Sequence, residues 1–309
     1  MLLKVAVLMA LSIPGLILKK TRLLPDGSSK GLCNILIYVA IPFLILEGFQ
    51  SCSYTPELLE GILYSAIIAL LSQLAMLLLG KVAFRRNLDD NRVARFASTF
   101  SNCGFFGYPV IRLLYPSSPE AIVYAVVYNA VFNILAYTLG LYSLTGNKKT
   151  VSPLKALISP VTVALVIALP LFFLNVSIEA HAPTVWYAIE LLAEISTPLS
   201  MIVMGIKLAE LKPRKYLGNS SVYAVAVLKL ITAPVITLMM SLLLRLLTGS
   251  DPTVAVTMTV MAAMPTATMT IAMSESYGKN SELASVYVVV SAILSVVSIP
   301  LIAYLLTFI

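Results

Sequence analysis

Ten apolar windows, each of roughly twenty residues, follow one another along this chain with only short polar connections between them. They fall near 2–18, 31–50, 57–83, 93–114, 120–143, 154–175, 183–207, 217–247, 253–275 and 282–308. A helix needs about 20 predominantly apolar residues to cross the hydrocarbon of a bilayer. The windows therefore predict an all-α membrane protein with ten transmembrane helices, with the lipid bilayer as its surroundings. Only 11% of the 309 residues are charged and 59% are hydrophobic, with mean hydropathy +0.95. Soluble domains carry about 25% charged residues, so no ordinary wet surface can be built, and no stretch remains for a separate soluble domain. The first window has Lys4 near its start, as a signal peptide would. It lacks a small-residue cleavage site, however, and runs into Lys19, Lys20 and Arg22, so it is read as a spanning helix.

Charge alternates from loop to loop. One set of loops holds Lys19, Lys20, Arg22 and Lys30; Lys81, Arg85, Arg86, Arg92 and Arg95; Lys148, Lys149 and Lys155; Lys207, Lys212, Arg214 and Lys215; and Lys279, which is 17 of the 21 basic residues. The other side carries Lys4, Arg112 and Arg245. The positive-inside rule places the rich side in the cytoplasm and both termini outside, in a multi-pass protein of the cell membrane. The net charge of +7 thus sets orientation and does not indicate a nucleic-acid partner.

Five windows, a basic linker at 146–152 and five more windows start the second half from the opposite membrane face. That is the condition for a 5+5 inverted repeat of residues 1–145 and 153–309. Pro14 and Pro170, Pro42 and Pro198, and Pro109 and Pro265 are each 156 residues apart. The fourth window of each half carries helix breakers at its middle: Ser101-Asn102-Cys103-Gly104-Phe105-Phe106-Gly107-Tyr108-Pro109 in one, Ala262-Ala263-Met264-Pro265-Thr266-Ala267-Thr268 in the other. Backbone groups freed at membrane depth persist only where protein, water or a ligand satisfies them. Paired interruptions point to a solute site near the midplane. If the broken fourth and ninth helices cross, their half-helix N-termini offer free N–H groups and partial positive charge, which suits a carboxylate.

Few polar side chains interrupt the windows. Lys229 lies mid-window and is read either as a counter-charge for an anionic solute or a proton-linked switch, or as a structural lysine that bonds carbonyls freed by Pro234 or snorkels. Asn129 and Asn133 share one face of the fifth window and can reach a solute or a neighbouring helix. Gln73 is read as helix glue. Glu190 and Glu194 precede the Ser196-Thr197-Pro198 break toward the outer half, while Glu47 and Glu275, near window ends, are read as hydrated. Met258, Met261, Met264, Met269 and Met273 are packing that could also line a forgiving pocket. Cys33, Cys52 and Cys103 match no metal or redox spacing, and the single His181 sits in an outer loop. No cofactor, metal site or catalytic constellation is expected, and no Gly-rich phosphate loop suggests ATP use. Neither broken segment contains an aspartate, which argues against cation exchange.

Asn102 through Pro109 resembles the N-[TS]-G-F-x-G-x-P stretch of the auxin efflux carrier family, which includes plant auxin carriers and bacterial permeases. Thr197-Pro198-Leu199 with Gly205, Ala263-Met264-Pro265 through Tyr277-Gly278, and Asn133-Ile134-Leu135 are similar to that family's seventh-, ninth- and fifth-helix elements. The resemblance spans essentially the whole chain. It implies a ten-helix inverted repeat with a scaffold of helices one, two, six and seven, and a moving part that holds the crossed helices. It also implies elevator-like carriage of organic anions and a homodimer, as plant members form. Where plant members have proline before the asparagine this chain has Ser101, which leaves two candidate breaks, Ser101–Asn102 and Pro109. The charged residues that plant carriers use early in the third helix are not evident here, so auxin is not carried over as the solute.

The expected function is a carrier for a small organic anion, a mono- or dicarboxylate, and not an enzyme. Ser101, Asn102, Gly104, Gly107, Tyr108 and Pro109, with Pro265, Thr266 and Thr268 opposite, would cradle the carboxylate. Asn129 and Asn133 would add side-chain hydrogen bonds and Lys229 would compensate charge. The alternatives are a sodium-coupled symporter of bile-acid-carrier architecture and a membrane sensor that binds a solute or lipid without moving it.

Overall fold

A computed structural model describes residues 2–25, 27–210, 216 and 218–309. The expected basic residues Lys212, Arg214 and Lys215 lie outside the described set. Among the described residues fifteen helical elements are distinguished: α1 (Leu2–Ala10), α2 (Ser12–Lys20), α3 (Ser28–Gln50), α4 (Pro56–Ala83), α5 (Asp89–Thr99), α6 (Cys103–Leu114), α7 (Pro119–Thr145), α8 (Lys148–Leu157), α9 (Pro160–Phe173), α10 (Ile178–His181), α11 (Pro183–Glu210), α12 (Ser220–Thr248), α13 (Pro252–Ala263), α14 (Met269–Ser276) and α15 (Ser281–Phe308). No strand occurs among the described residues, only one isolated bridge discussed below.

Helix starts follow local chemistry. Thr55, Ser159, Asp251 and Asn280 each accept, through a side-chain oxygen, a backbone N–H of the first turn of α4, α9, α13 or α15. In three of these a proline follows the cap, where its missing N–H costs nothing. Two interior prolines follow wide π-type turns. Leu36–Ala40 precedes Pro42 and Leu228–Thr232 precedes Pro234, with Ile41 N–H donating to Leu36 O and Ala233 N–H to Leu228 O.

Six of the expected windows are single apolar helices long enough to cross a membrane: α3, α4, α7, α11, α12 and α15. A seventh is a pair, α8 and α9, bent by 41°. The windows at 2–18, 93–114 and 253–275 are each divided into two shorter helices. The division has a local cause in each case: a turn at Leu11 in the first, and the expected helix breakers in the other two.

Two groups of helices can be seen. α2 packs on α11, and α3 packs on α9 and α11. The α2–α11 contact is close enough that a Cβ on Gly15 would lie 2.0 Å from Ile202 O and one on Gly205 would lie 1.8 Å from Ser12 O. The second group is built round α13, whose residues from Val254 to Ala263 are all buried. α13 packs against α12, α7, α4 and α15. Phe96, Phe100 and Phe132 pack against one another, with ring centroids 4.6 and 5.5 Å apart, and Phe100 fills the space left by Gly140. Large apolar side chains such as Val166, Val297 and Leu246 point outward, as a lipid-facing surface requires.

Candidate functional site at the crossed helices

α5 stops at Thr99 and α6 begins at Cys103; α13 stops at Ala263 and α14 begins at Met269. The two extended links between them meet as antiparallel strands one residue pair long, Ser101 opposite Thr266. Asn102 N–H donates to Pro265 O at 2.7 Å and Ala267 N–H donates to Phe100 O at 2.9 Å. Each break thus satisfies the backbone of the other, which is how non-helical chain survives inside an apolar bundle. Thr266 fastens the crossing further: its Oγ1 donates to Ala97 O at 3.1 Å, and its N–H donates to Ser291 Oγ of α15 at 3.0 Å.

Four helix ends converge here, two of each polarity. The C-terminal ends of α5 and α13 are served by Lys229, which is fully buried. Its Nζ donates to Ser101 Oγ at 2.6 Å, to Ala262 O at 3.0 Å and to Thr99 O at 3.4 Å. A cation is the natural partner for two convergent helix C-termini. The carbonyls that this lysine bonds are those of Thr99 and Ala262 at the crossing, not ones freed by Pro234. Its three donors are directed at protein oxygens, so any effect on a solute is exerted through its field.

The N-terminal ends of α6 and α14 receive no such partner. The first bonds of α6 run from Phe106 and Gly107 N–H to Asn102 O at 3.0 and 3.3 Å, which leaves the N–H groups of 103–105 ahead of the ladder. The first bonds of α14 run from Thr270 N–H to Ala267 O and from Ile271 N–H to Thr268 O. Neither Asn102 nor Thr268 caps its helix through a side chain. Asn102 is buried, and its Nδ2 has no hydrogen-bond partner. Gly104, Phe105, Thr268 and Met269 are half-buried, so this side of the crossing is the accessible one.

Beside α6 lies a polar cluster on α7. Asn129 Nδ2 donates to Tyr108 Oη at 2.8 Å, and Asn129 Oδ1 accepts from Cys103 Sγ at 3.4 Å and from Asn133 Nδ2 at 3.3 Å. Asn133 Nδ2 also donates to Asn129 O at 2.9 Å. A Cβ on Gly104 would sit 3.5 Å from Asn129 Nδ2, so that glycine brings the start of α6 against the amide. The structure therefore draws Ser101, Asn102, Pro265, Thr266 and Lys229 together at the crossing, and Gly104, Tyr108, Asn129 and Asn133 beside it.

Three expectations shift. Pro109 is not the break; it sits in the first α-turn of α6, after the π-type turn at Cys103–Gly107, and the break is at Ser101–Asn102. The pairing of Pro109 with Pro265 is therefore out of register, since Pro265 O meets Asn102. Gly107 leaves room for Met261, whose Sδ would lie 2.7 Å from a Cβ there, so its place is in the packing of α6 on α13. Glu47 is not simply hydrated: it forms an ion pair with Arg112 Nη2. Sequence reasoning also passed over Ala97, Thr99 and Phe100, whose contribution is a backbone carbonyl and so leaves no residue-type signal.

No acidic residue lies between Asp90 and Glu120, between Glu210 and Asp251, or between Asp251 and Glu275. The segments that form the crossing thus bring one lysine and two helix N-termini together without a carboxylate.

Comparisons with known proteins point to membrane transporters. A family model described as membrane transport protein matches residues 1–303. An uncharacterized transporter of Methanothermobacter thermautotrophicus is 27% identical over 298 residues, covering 93% of this chain and 92% of that protein. A Rhizobium meliloti protein described as "Putative malonate transporter" is 27% identical over 296 residues, covering 91% of this chain and 88% of its own length. The chain belongs to the membrane transport protein family, the auxin-efflux-carrier-like group that its fourth-window motif resembles.

Proposed function

We propose that this protein is a secondary carrier for a small organic anion, a mono- or dicarboxylate of the malonate class. The observation that carries the reading is the electrostatic balance of the crossing: two helix N-termini with N–H groups ahead of their ladders, one buried lysine, and no carboxylate in the crossing segments. Such a site is short of one negative charge, and a solute carboxylate supplies it. The likeness to the Rhizobium protein described as a malonate transporter adds support for a carboxylate.

In this reading the N–H groups at 103–105 and 268–269 receive the carboxylate, with the unpartnered Asn102 amide as an additional donor. Asn129 and Asn133 line the approach, Tyr108 orients Asn129, and Lys229 holds the crossing together while its charge favours an anion. The divided windows at 2–18, 93–114 and 253–275 count as one crossing each. That gives ten spans in two inverted halves, 1–145 and 153–309, joined at 146–152, with both termini outside the cell membrane. The α2, α3, α9 and α11 group serves as the frame, against which the unit with the crossed helices moves in an elevator-like cycle. A homodimer formed through the frame fits the same scheme.

The test is uptake of labelled malonate into liposomes containing the purified protein. Asn102→Ala and Asn133→Ala are each expected to slow uptake about tenfold or more at equal protein amount, the cost of losing a hydrogen bond to a charged group. Normal uptake in both variants removes the site assignment. Solute-induced thermal stabilisation without any flux would instead make the protein a sensor, and strict sodium dependence would make it a symporter.

A further inference from the structure

The pair Glu47–Arg112 has no part in the site above, yet it joins the two groups of helices. Arg112 lies in the last turn of α6, the half-helix whose first turn starts at the crossing, and Glu47 lies near the end of α3. Their side chains retain only 23% and 17% exposure, and Glu194 of α11 adds a second negative charge within electrostatic reach of the guanidinium. Both residues sit at the membrane side opposite the Lys- and Arg-rich loops. Among the ion pairs of the described residues, this one alone ties α6 to α3, α9 or α11.

Glu47 is rigidly mounted. Gln50, one turn on, donates from Nε2 to Val176 O at 3.1 Å and accepts at Oε1 from Ile178 N–H at 2.8 Å. Tyr54 N–H donates to Asn175 Oδ1 at 3.1 Å, and Phe49 stacks edge-on against Phe172 with centroids 5.7 Å apart. The end of α3 is thus fixed to the end of α9 and the turn after it. Arg112, by contrast, is carried by a short helix whose other end is the crossing, so displacement of the crossing along the membrane normal must carry Arg112 with it.

We propose that Glu47–Arg112 is a latch that holds the crossed-helix unit against the frame in the arrangement described, and that it must open for the unit to move. The proposal rests on the carrier reading above. An ion pair that is present in one state and broken in the next stabilises the first and slows departure from it.

The experiment compares wild type with Glu47→Gln, Arg112→Gln and the swap Glu47→Arg with Arg112→Glu, all reconstituted in lipid. Backbone hydrogen–deuterium exchange of 108–115 is read first, because it does not require the protein to be a carrier. Both single variants should lose protection there, and the swap should regain it. Malonate counterflow is read second: both single variants should exchange about threefold to tenfold faster than wild type, with the swap returning toward it. Malonate-induced thermal stabilisation should stay at the wild-type level throughout, because no site residue has been changed. Unchanged protection in the single variants, or a loss that the swap does not reverse, overturns the latch. So does slower counterflow in either single variant. Absence of malonate flux in wild type would defeat the carrier reading, and the exchange data would still decide whether the contact holds α6.

Discussion

Lys229 Nζ lies 2.6 Å from Ser101 Oγ, so the lysine in the middle of α12 is bonded into the point where the two broken helices cross. The same ammonium reaches Ala262 O and Thr99 O, carbonyls in the last turns of two half-helices from opposite halves of the chain. Lys229→Met would keep the bulk and remove every one of these bonds. Each buried acceptor left without a donor costs about 1–3 kcal/mol, partly offset by no longer burying a charge. A net loss of about 2–4 kcal/mol is expected, read as a lowered melting temperature in detergent together with loss of flux. A variant that melts like wild type but fails to transport would place Lys229 in direct contact with solute instead.

Asn102 should show the opposite balance. Its buried Nδ2 is unpartnered and its side chain does not cap α6, so Asn102→Ala removes an unmet donor. Relief of such a donor is worth up to about 1–3 kcal/mol, so the variant is expected to melt at or above the wild-type temperature while its malonate uptake falls. Thermal denaturation with and without malonate checks both halves: the unliganded protein should be no less stable, and the solute-induced stabilisation should shrink. A marked drop in unliganded stability would mean that the amide is part of the scaffold.

Much of this arrangement was legible from residue types. Every apolar window is occupied by helix, and both mid-window interruptions are real, because Gly, Pro and Asn at membrane depth leave few alternatives to a break. The register of the first break was less legible. Pro109 looked like the breaker, yet the π-type turn Cys103–Gly107 runs straight into the α-turn that holds it, and the interruption falls at Ser101–Asn102, where no proline stands. That Lys229 would bond freed carbonyls was legible as a type of partner, but which carbonyls was not, since Thr99 O and Ala262 O are brought near it only by tertiary structure. Glu47 misled for a related reason: its window-end position implies water, whereas folding delivers Arg112 to it.

Thr266 and Thr268 sit two residues apart at the second break and should behave differently. Thr266 Oγ1 donates to Ala97 O at 3.1 Å from a fully buried position. Thr266→Val, nearly the same shape, should cost about 1–3 kcal/mol by leaving that bond unmade. Thr268 is half-buried at the start of α14, on the accessible side. Thr268→Val should leave the melting temperature near wild type and raise the KM for malonate severalfold. Equal effects of the two substitutions on both quantities would erase the distinction between a fastening threonine and a solute-facing one.

The frame depends on two glycines that face each other's helices. A Cβ at Gly15 would lie 2.0 Å from Ile202 O and a Cβ at Gly205 would lie 1.8 Å from Ser12 O, both backbone atoms that no rotamer change can move aside. At Gly107 the obstructing atom is the end of a methionine, Met261 Sδ at 2.7 Å, which can swing away. Small residues let membrane helices approach to backbone contact, and α2 and α11 use that approach reciprocally. Gly15→Ala and Gly205→Ala should therefore force the two helices apart and cost at least the 1–3 kcal/mol typical of overpacking, with poor recovery of folded protein after detergent extraction. Gly107→Ala should cost about 1 kcal/mol or less on the same assay. Because the two frame glycines obstruct the same pair of helices, Gly15→Ala with Gly205→Ala should destabilise by less than the sum of the single effects, a helix already displaced being cheaper to displace again. Full additivity would show that the two contacts are borne independently and that α2 and α11 do not shift as rigid bodies.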